Sequence, residues 1–241
     1  MIYLRRDEEI YRKEGGWFSA RWHFSFDEYR DPGNLGFGNL RVFNDDRLVP
    51  GAIWPLHPHR DIEGLTYVAE GTFRHEDDQG GDGVIPAGSV QRMTLGSGAW
   101  HSEQNASEEE PMRFIQMWIM PEELGLPPSV EQRVFTTEDR TDVLLRAIAP
   151  EGGEAVAVHG NAAVYISRLT PETEVAHKVP EGMGAYLYVI SGDLALNGER
   201  LATGDAAKIR DERELGLRAG AETELIMVEV DLSWRPRPLR G

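Results

Sequence analysis

Residues 51–71 read GAIWPLHPHRDIEGLTYVAEG, and the reading of the whole chain starts here. His57 and His59 stand one residue apart. On a β-strand, side chains alternate between faces, so both imidazoles point the same way. Leu65 to Ala69 reads as a strand, Glu70-Gly71 as a hairpin signal and Thr72 to Glu76 as the return strand. Farther along, AWHSEQN repeats the spacing with His101 and Glu103. Two such pairs on facing strands bring three imidazole nitrogens and one carboxylate oxygen around a common point. That donor set suits one divalent transition metal: Fe, Mn, Co, Ni, Cu or Zn. On a metal that prefers five or six ligands, it leaves positions open for water, substrate or dioxygen. A structural zinc site is normally closed and four-coordinate. Trp54, Pro55 and Leu56, just before the first pair, are candidate walls of a dry pocket.

The other histidines lack a partner at ligand spacing. His23 lies in an aromatic run with Trp17, Trp22, Phe24 and Phe26, and reads as a packing residue. His75 sits beside Glu76, Asp77 and Asp78 and is expected to face solvent. Leu40, Val42 and Phe43 read as a strand, followed by a turn at Asn44-Asp45-Asp46. MRFIQMWIMP is a strand with Met112, Phe114, Gln116 and Trp118 on one face and Arg113, Ile115, Met117 and Ile119 on the other; both faces are expected to be largely buried. The domain division is placed in residues 136–142, a charged linker, separating residues 1–135 from 143–241. The second part repeats a rhythm of strand, Gly, strand, Gly-Asp, which suggests a duplicated domain. Its tail, SWRPRPLRG, reads as extended.

Composition narrows the function classes. The 241 residues suffice for one large or two ordinary β domains, and 26 Gly with 14 Pro fit many tight turns. A formal net charge of -16 disfavours direct nucleic-acid binding and docking on anionic membranes. The absence of cysteine excludes disulfides, thiolate metal sites and a Cys nucleophile. The start, MIYLRRDEEIYRKEGG, carries no apolar signal core, and no apolar run approaches the ~20 residues needed to cross a bilayer. A cytoplasmic, monomeric protein is expected.

Gly51, His57, His59 and Gly71 are spaced like the first cupin motif, and Gly80, Pro86 and Gly88 like the second. Two departures matter. The usual motif carboxylate falls on Gly64, while Glu63 is one residue out of phase and faces away from the metal on a regular strand. The usual second-motif His falls on Gln91. HPHRDIEGLTYVAEG and GSGAWHSE, with WHFSFDEYRDP, RVFNDD and QMWIMPEELG, resemble the pirin family within the cupins. That resemblance implies an all-β bicupin, two face-to-face β-barrel (jelly-roll) domains, with metal in the N-terminal one only. It carries His57, His59, His101 and Glu103 over as ligands, with Fe(II) the first choice of ion. Glu103 is also the expected catalytic base. The resemblance implies quercetin 2,3-dioxygenase-like chemistry on a flavonol or a related small aromatic substrate, with dioxygen as co-substrate. The alternative is a regulatory module that binds a protein partner and uses the metal structurally or as a redox sensor. His159 and His177, alone in the second part, are assigned structural or surface roles.

Overall fold

Short runs of β-branched and aromatic residues, cut by glycine turns, satisfy their backbones by pairing between strands. The computed structural model describes residues 1–235. Among these it has twenty-two strands and two short 3-10 turns, with no α-helix. Residues 236–241, the end of the tail expected to be extended, lie outside the described residues. The first half supplies β1 (Ile2–Arg5), β2 (Tyr11–Glu14), β3 (Phe18–Trp22), β4 (Leu40–Leu48), β5 (Ile53–His59), β6 (Glu63–Glu70), β7 (Thr72–Asp77), β8 (Asp82–Pro86), β9 (Val90–Thr94), β10 (Ala99–Asn105), β11 (Met112–Ile119) and β12 (Ser129–Arg133). The second supplies β13 (Leu145–Ala149), β14 (Val156–Ala157), β15 (Ala162–Leu169), β16 (Glu174–Lys178), β17 (Met183–Ser191), β18 (Asp193–Leu196), β19 (Glu199–Ala202), β20 (Ala206–Ile209), β21 (Glu214–Ala219) and β22 (Thr223–Asp231).

Each half pairs a seven-stranded sheet with a four-stranded one. The order is β12-β9-β6-β11-β4-β3-β2 with β5-β10-β7-β8 in the first half, and β1-β20-β17-β22-β15-β13-β14 with β16-β21-β18-β19 in the second. This is the expected all-β architecture of two cupin domains. The N-terminal strand β1 crosses over and pairs with β20 of the second half. The hairpin between β6 and β7 turns at Gly71, where φ is +77° and a Cβ would meet the Pro111 carbonyl oxygen at 2.6 Å. Only glycine fits there.

Both faces of the large sheets are used. On β11, Ile115, Met117 and Ile119 join one apolar layer with Val164, Ile166, Tyr186, Tyr188, Ile226 and Val228 of the other half. The opposite residues Met112 and Phe114 pack inside the first barrel. The Asn44-Asp45-Asp46 turn expected from sequence is instead the middle of β4, a buried strand between β11 and β3. Its polarity is accommodated by tertiary partners. Arg113 grips Asp45 with two hydrogen bonds, Nε to Oδ1 at 2.8 Å and Nη2 to Oδ2 at 2.7 Å. Tyr188, from the other half, donates to Asp45 Oδ2 at 2.6 Å. Burial alone would raise the Asp45 carboxyl, but the hydrogen-bonded Arg113 guanidinium overrides it and holds the carboxyl below its usual range. His23 is buried as expected, with Nδ1 2.7 Å from the Tyr186 hydroxyl.

Breaking a buried ion pair from one side leaves an uncompensated charge. Arg113→Met should therefore cost about 3–5 kcal/mol of unfolding free energy, measured by urea denaturation. A loss under about 1 kcal/mol, within the range of exposed pairs, would mean that Asp45 does not depend on Arg113.

Candidate metal centre

The site grows from the pairing of β5 with β10. Their register sets Ala99 opposite His59, Trp100 opposite Pro58 and His101 opposite His57, then shifts so that Glu103 lies opposite Trp54. β5 pairs on one side only, which is why Pro55 and Pro58 are tolerated in it. The rings of His57, His59 and His101 converge, with centroids 4.5 to 5.2 Å apart. One nitrogen from each lies within 4.8 Å of the others, close enough to share an ion. His57 Nδ1 lies 2.8 Å from the Pro55 carbonyl oxygen, an orientation that leaves Nε2 free to bind. Both His101 nitrogens are buried without any hydrogen-bond partner. An orphaned buried imidazole among two others fits a metal ligand.

Glu103 lies beside this cluster rather than within it. Its Oε1 is 3.7 Å from His101 Nδ1, and the residue is 6% exposed. Burial pushes its carboxyl up to about 8. Burial also lowers His59 to about 4, helped by His57, and His101 to about 2, helped by His57, His59 and His75. Both imidazoles are thus neutral at physiological pH, the form that coordinates metal.

The cavity in front of the histidines has a volume of about 90 Å³. Its walls are Trp54, His57, His59 and Glu103 on one side, and Trp22, Phe26, Asn44, Asp46, Phe114, Gln116 and Trp118 on the other. Trp118 meets His59 edge-on, with ring centroids 4.6 Å apart. Thr66 fixes Gln116 by donating to its Oε1 at 2.8 Å. Burial, with the neighbouring Asp45 and Glu103, raises the Asp46 carboxyl well above its usual range. Of the three expected wall residues, only Trp54 lines the cavity; Leu56 is 56% exposed. Leu56 alternates with the inward His57 and so faces outward, and the shift in register brings Trp54 to the side of the histidines. Asn44 and Asp46 were hidden by the turn-like look of their sequence; β-strand alternation through residue 46 is the signal that would have found them.

His75 also departs from expectation. It is buried, with Nε2 2.9 Å from Asp77 Oδ2 and its ring 5.7 Å from that of His101. β7 is flanked by β10 and β8, so its inward residues are covered despite the acidic neighbours. Gln91 points to the same region, with Nε2 3.4 Å from His75 Nδ1. Glu63 faces away from the three histidines, as its phase requires. It accepts the His159 backbone N–H at 3.1 Å and lies 3.2 Å from His159 Nδ1. In the second half, His177 Nε2 lies 2.8 Å from Glu229 Oε1.

Comparison with known proteins bears on this geometry. A family model described as Pirin matches residues 5–119, and one described as Quercetinase C-terminal cupin domain matches residues 147–230. A quercetin 2,3-dioxygenase from Escherichia coli (strain K12) is 37% identical over 231 residues, covering 95% of this chain and 99% of its own length. A pirin-like protein from Caulobacter vibrioides is also 37% identical over 231 residues, with the same coverage. The crystal structure of bacterial pirin YhhW from Escherichia coli in complex with nickel(II) is similar with a TM-score of 0.90 and 35% identity, over 96% of this chain and 99% of that one.

The raised carboxyl of Glu103 makes a pH prediction for chelator-treated protein. A group whose folded value lies above its ordinary 4.5 adds stability below 4.5 and loses it as pH rises through about 8. Glu103→Gln removes that dependence. Relative to the variant, the unsubstituted protein should lose about 3–5 kcal/mol between pH 4.5 and pH 9. The histidine contributions run the other way, lost as pH falls below 6.5, and are common to both proteins. Urea unfolding across that range measures the difference. Parallel profiles would show that Glu103 titrates as an ordinary carboxyl.

Proposed function

This chain belongs to the pirin family, and on that premise we propose that it is a metal-dependent dioxygenase of the quercetin 2,3-dioxygenase type, cleaving a flavonol or related small aromatic. The carrying observation is that three imidazoles converge, one with both nitrogens unpartnered, and that two of them, His57 and His59, line with Glu103 a cavity walled by aromatic rings. The proposed ligand set is His57, His59, His101 and Glu103, with Fe(II) as the ion. Such an ion supplies Lewis acidity toward a substrate hydroxyl and a redox partner for dioxygen.

The protein's own residues do the rest. The Pro55 carbonyl holds the His57 ring with Nε2 turned toward the site. Glu103, a buried carboxyl beside the imidazoles, is the proposed base for the proton of an enolic hydroxyl. Trp54, Phe114 and Trp118 hold a flat ring and exclude water. The proposed protein is a cytoplasmic monomer. A second reading, a regulatory module with a protein partner, draws on Ile53, Leu56 and Trp100, which stand exposed on β5 and β10.

Two measurements test this. Protein loaded anaerobically with Fe(II) should consume oxygen with quercetin, and His101→Ala should reduce the rate at least about 100-fold, within the range for loss of a core catalytic element. Full metal content with no uptake would sink the dioxygenase reading. Glu103→Gln should lower metal affinity about 10- to 100-fold, whereas Glu63→Gln should leave it nearly intact. The opposite ranking, read by metal analysis after dialysis, would overturn the ligand assignment.

A further inference from the structure

The cavity wall across from the histidines contains three polar groups whose side chains have unmet hydrogen-bonding capacity. Trp22 and Asn44 are register partners on β3 and β4, and Asp46 follows Asn44 by one strand period. All three line the cavity and are at least nine-tenths buried. Yet Trp22 Nε1, Asn44 Oδ1 and Asp46 Oδ1 have no hydrogen-bond partner. Their neighbours differ. Gln116, opposite Asn44 on β11, is tied to Thr66, and Asp45, between Asn44 and Asp46, is paired with Arg113 and Tyr188. Burying polar atoms unpaired is costly, and those retained unpaired call for a reason.

We propose that Trp22, Asn44 and Asp46 form the recognition wall for ring hydroxyls of the bound molecule, remote from the oxygen that meets the metal. This inference rests on reading the cavity as a substrate site. Trp22 Nε1 can only donate, while Asn44 Oδ1 and a carboxyl oxygen accept. The complementary ligand is therefore a flat ring carrying hydroxyl donors and at least one acceptor oxygen. Trp54 and Trp118 provide aromatic surface for such a ring. Selectivity should then come from this wall. A site built to hydrogen-bond a hydroxyl rejects the analogue that lacks it, because its own buried groups stay unpaired.

The test is anaerobic calorimetric titration of the metal-loaded protein with quercetin and with 3-hydroxyflavone, which keeps the metal-facing hydroxyl but lacks the ring hydroxyls. Quercetin should bind at least about tenfold more tightly. Trp22→Phe and Asn44→Leu should shrink that ratio to within about threefold by weakening quercetin alone, leaving metal content and 3-hydroxyflavone binding unchanged. Asn44→Leu should also unfold at a temperature no lower than the unsubstituted protein, since it removes an unpaired buried group. A structural asparagine would behave oppositely. Equal binding of the two probes, an unchanged ratio in both variants, or a much lower unfolding temperature for Asn44→Leu would overturn the proposal. Wall-dependent quercetin binding without oxygen uptake would uphold the wall and overturn the dioxygenase reading; no binding of either probe would overturn both.

Discussion

The two-residue period of the β-strand governs this molecule, because the central strands of its large sheets are buried on both faces. Each residue of β4 or β11 serves either the barrel interior or the junction between barrels, and its neighbour serves the other. Asp45 and Asp46 show the consequence. Asp45 faces the junction, where Arg113 and Tyr188 meet it, and its carboxyl is held low. Asp46 lines the cavity, where Oδ1 has no partner, and its carboxyl is raised. Adjacent, chemically identical side chains thus have opposite proton affinities. A slip of one residue would exchange them, putting an unpaired carboxyl among the apolar residues of the junction. Correct register is therefore a condition both for joining the barrels and for forming the cavity.

The small sheet works differently. β5 is an edge strand, and its two prolines sacrifice backbone donors that have no partner on the open side. What it gains is freedom to shift register against β10 between His101 and Glu103. The shift separates the three imidazoles, which converge, from the carboxylate, which sits beside them. Burial then acts on each group according to charge. It keeps His59 and His101 neutral and pushes Glu103 toward its protonated form. A positive ion placed here would favour the very carboxylate that burial penalises.

This explains what could be read from sequence. The HxH and HxE pairs are local, and a strand period suffices to put each on one face. The two faces of β11 were legible for the same reason. Asn44-Asp45-Asp46 was misread because three polar residues in a row carry the composition of a turn, while the groups that stabilise Asp45 lie 68 and 143 residues away. His75 was misread for the same cause: its acidic neighbours suggest solvent, but its burial depends on β8 and β10 closing over β7. The register shift that brings Trp54 to the side of the histidines has no local signal at all. Pairwise patterns within a strand are written in the sequence; which strand covers which is settled only by the closed sheet.

The second half shows how little separates a barrel with this constellation from one without it. Its β16 and β21 pair as β5 and β10 do, and β16 carries His177. Across from His177 stands Leu215, and across from Val175 stands Leu217, both fully buried in an apolar core with Leu187, Leu194 and Met227. In the first half the corresponding strand offers His101 and Glu103. His177 turns instead to Glu229, which also accepts from the Tyr165 hydroxyl. A lone imidazole with its own carboxylate, surrounded by leucine, is a satisfied polar group in a packed core. The same sheet order therefore supports either a filled interior or a polar cavity, and the choice lies in the side chains that the paired strands turn inward. Architecture alone carries no chemistry; what distinguishes the first barrel is the histidine cluster that β5 and β10 build together, with Glu103 beside it.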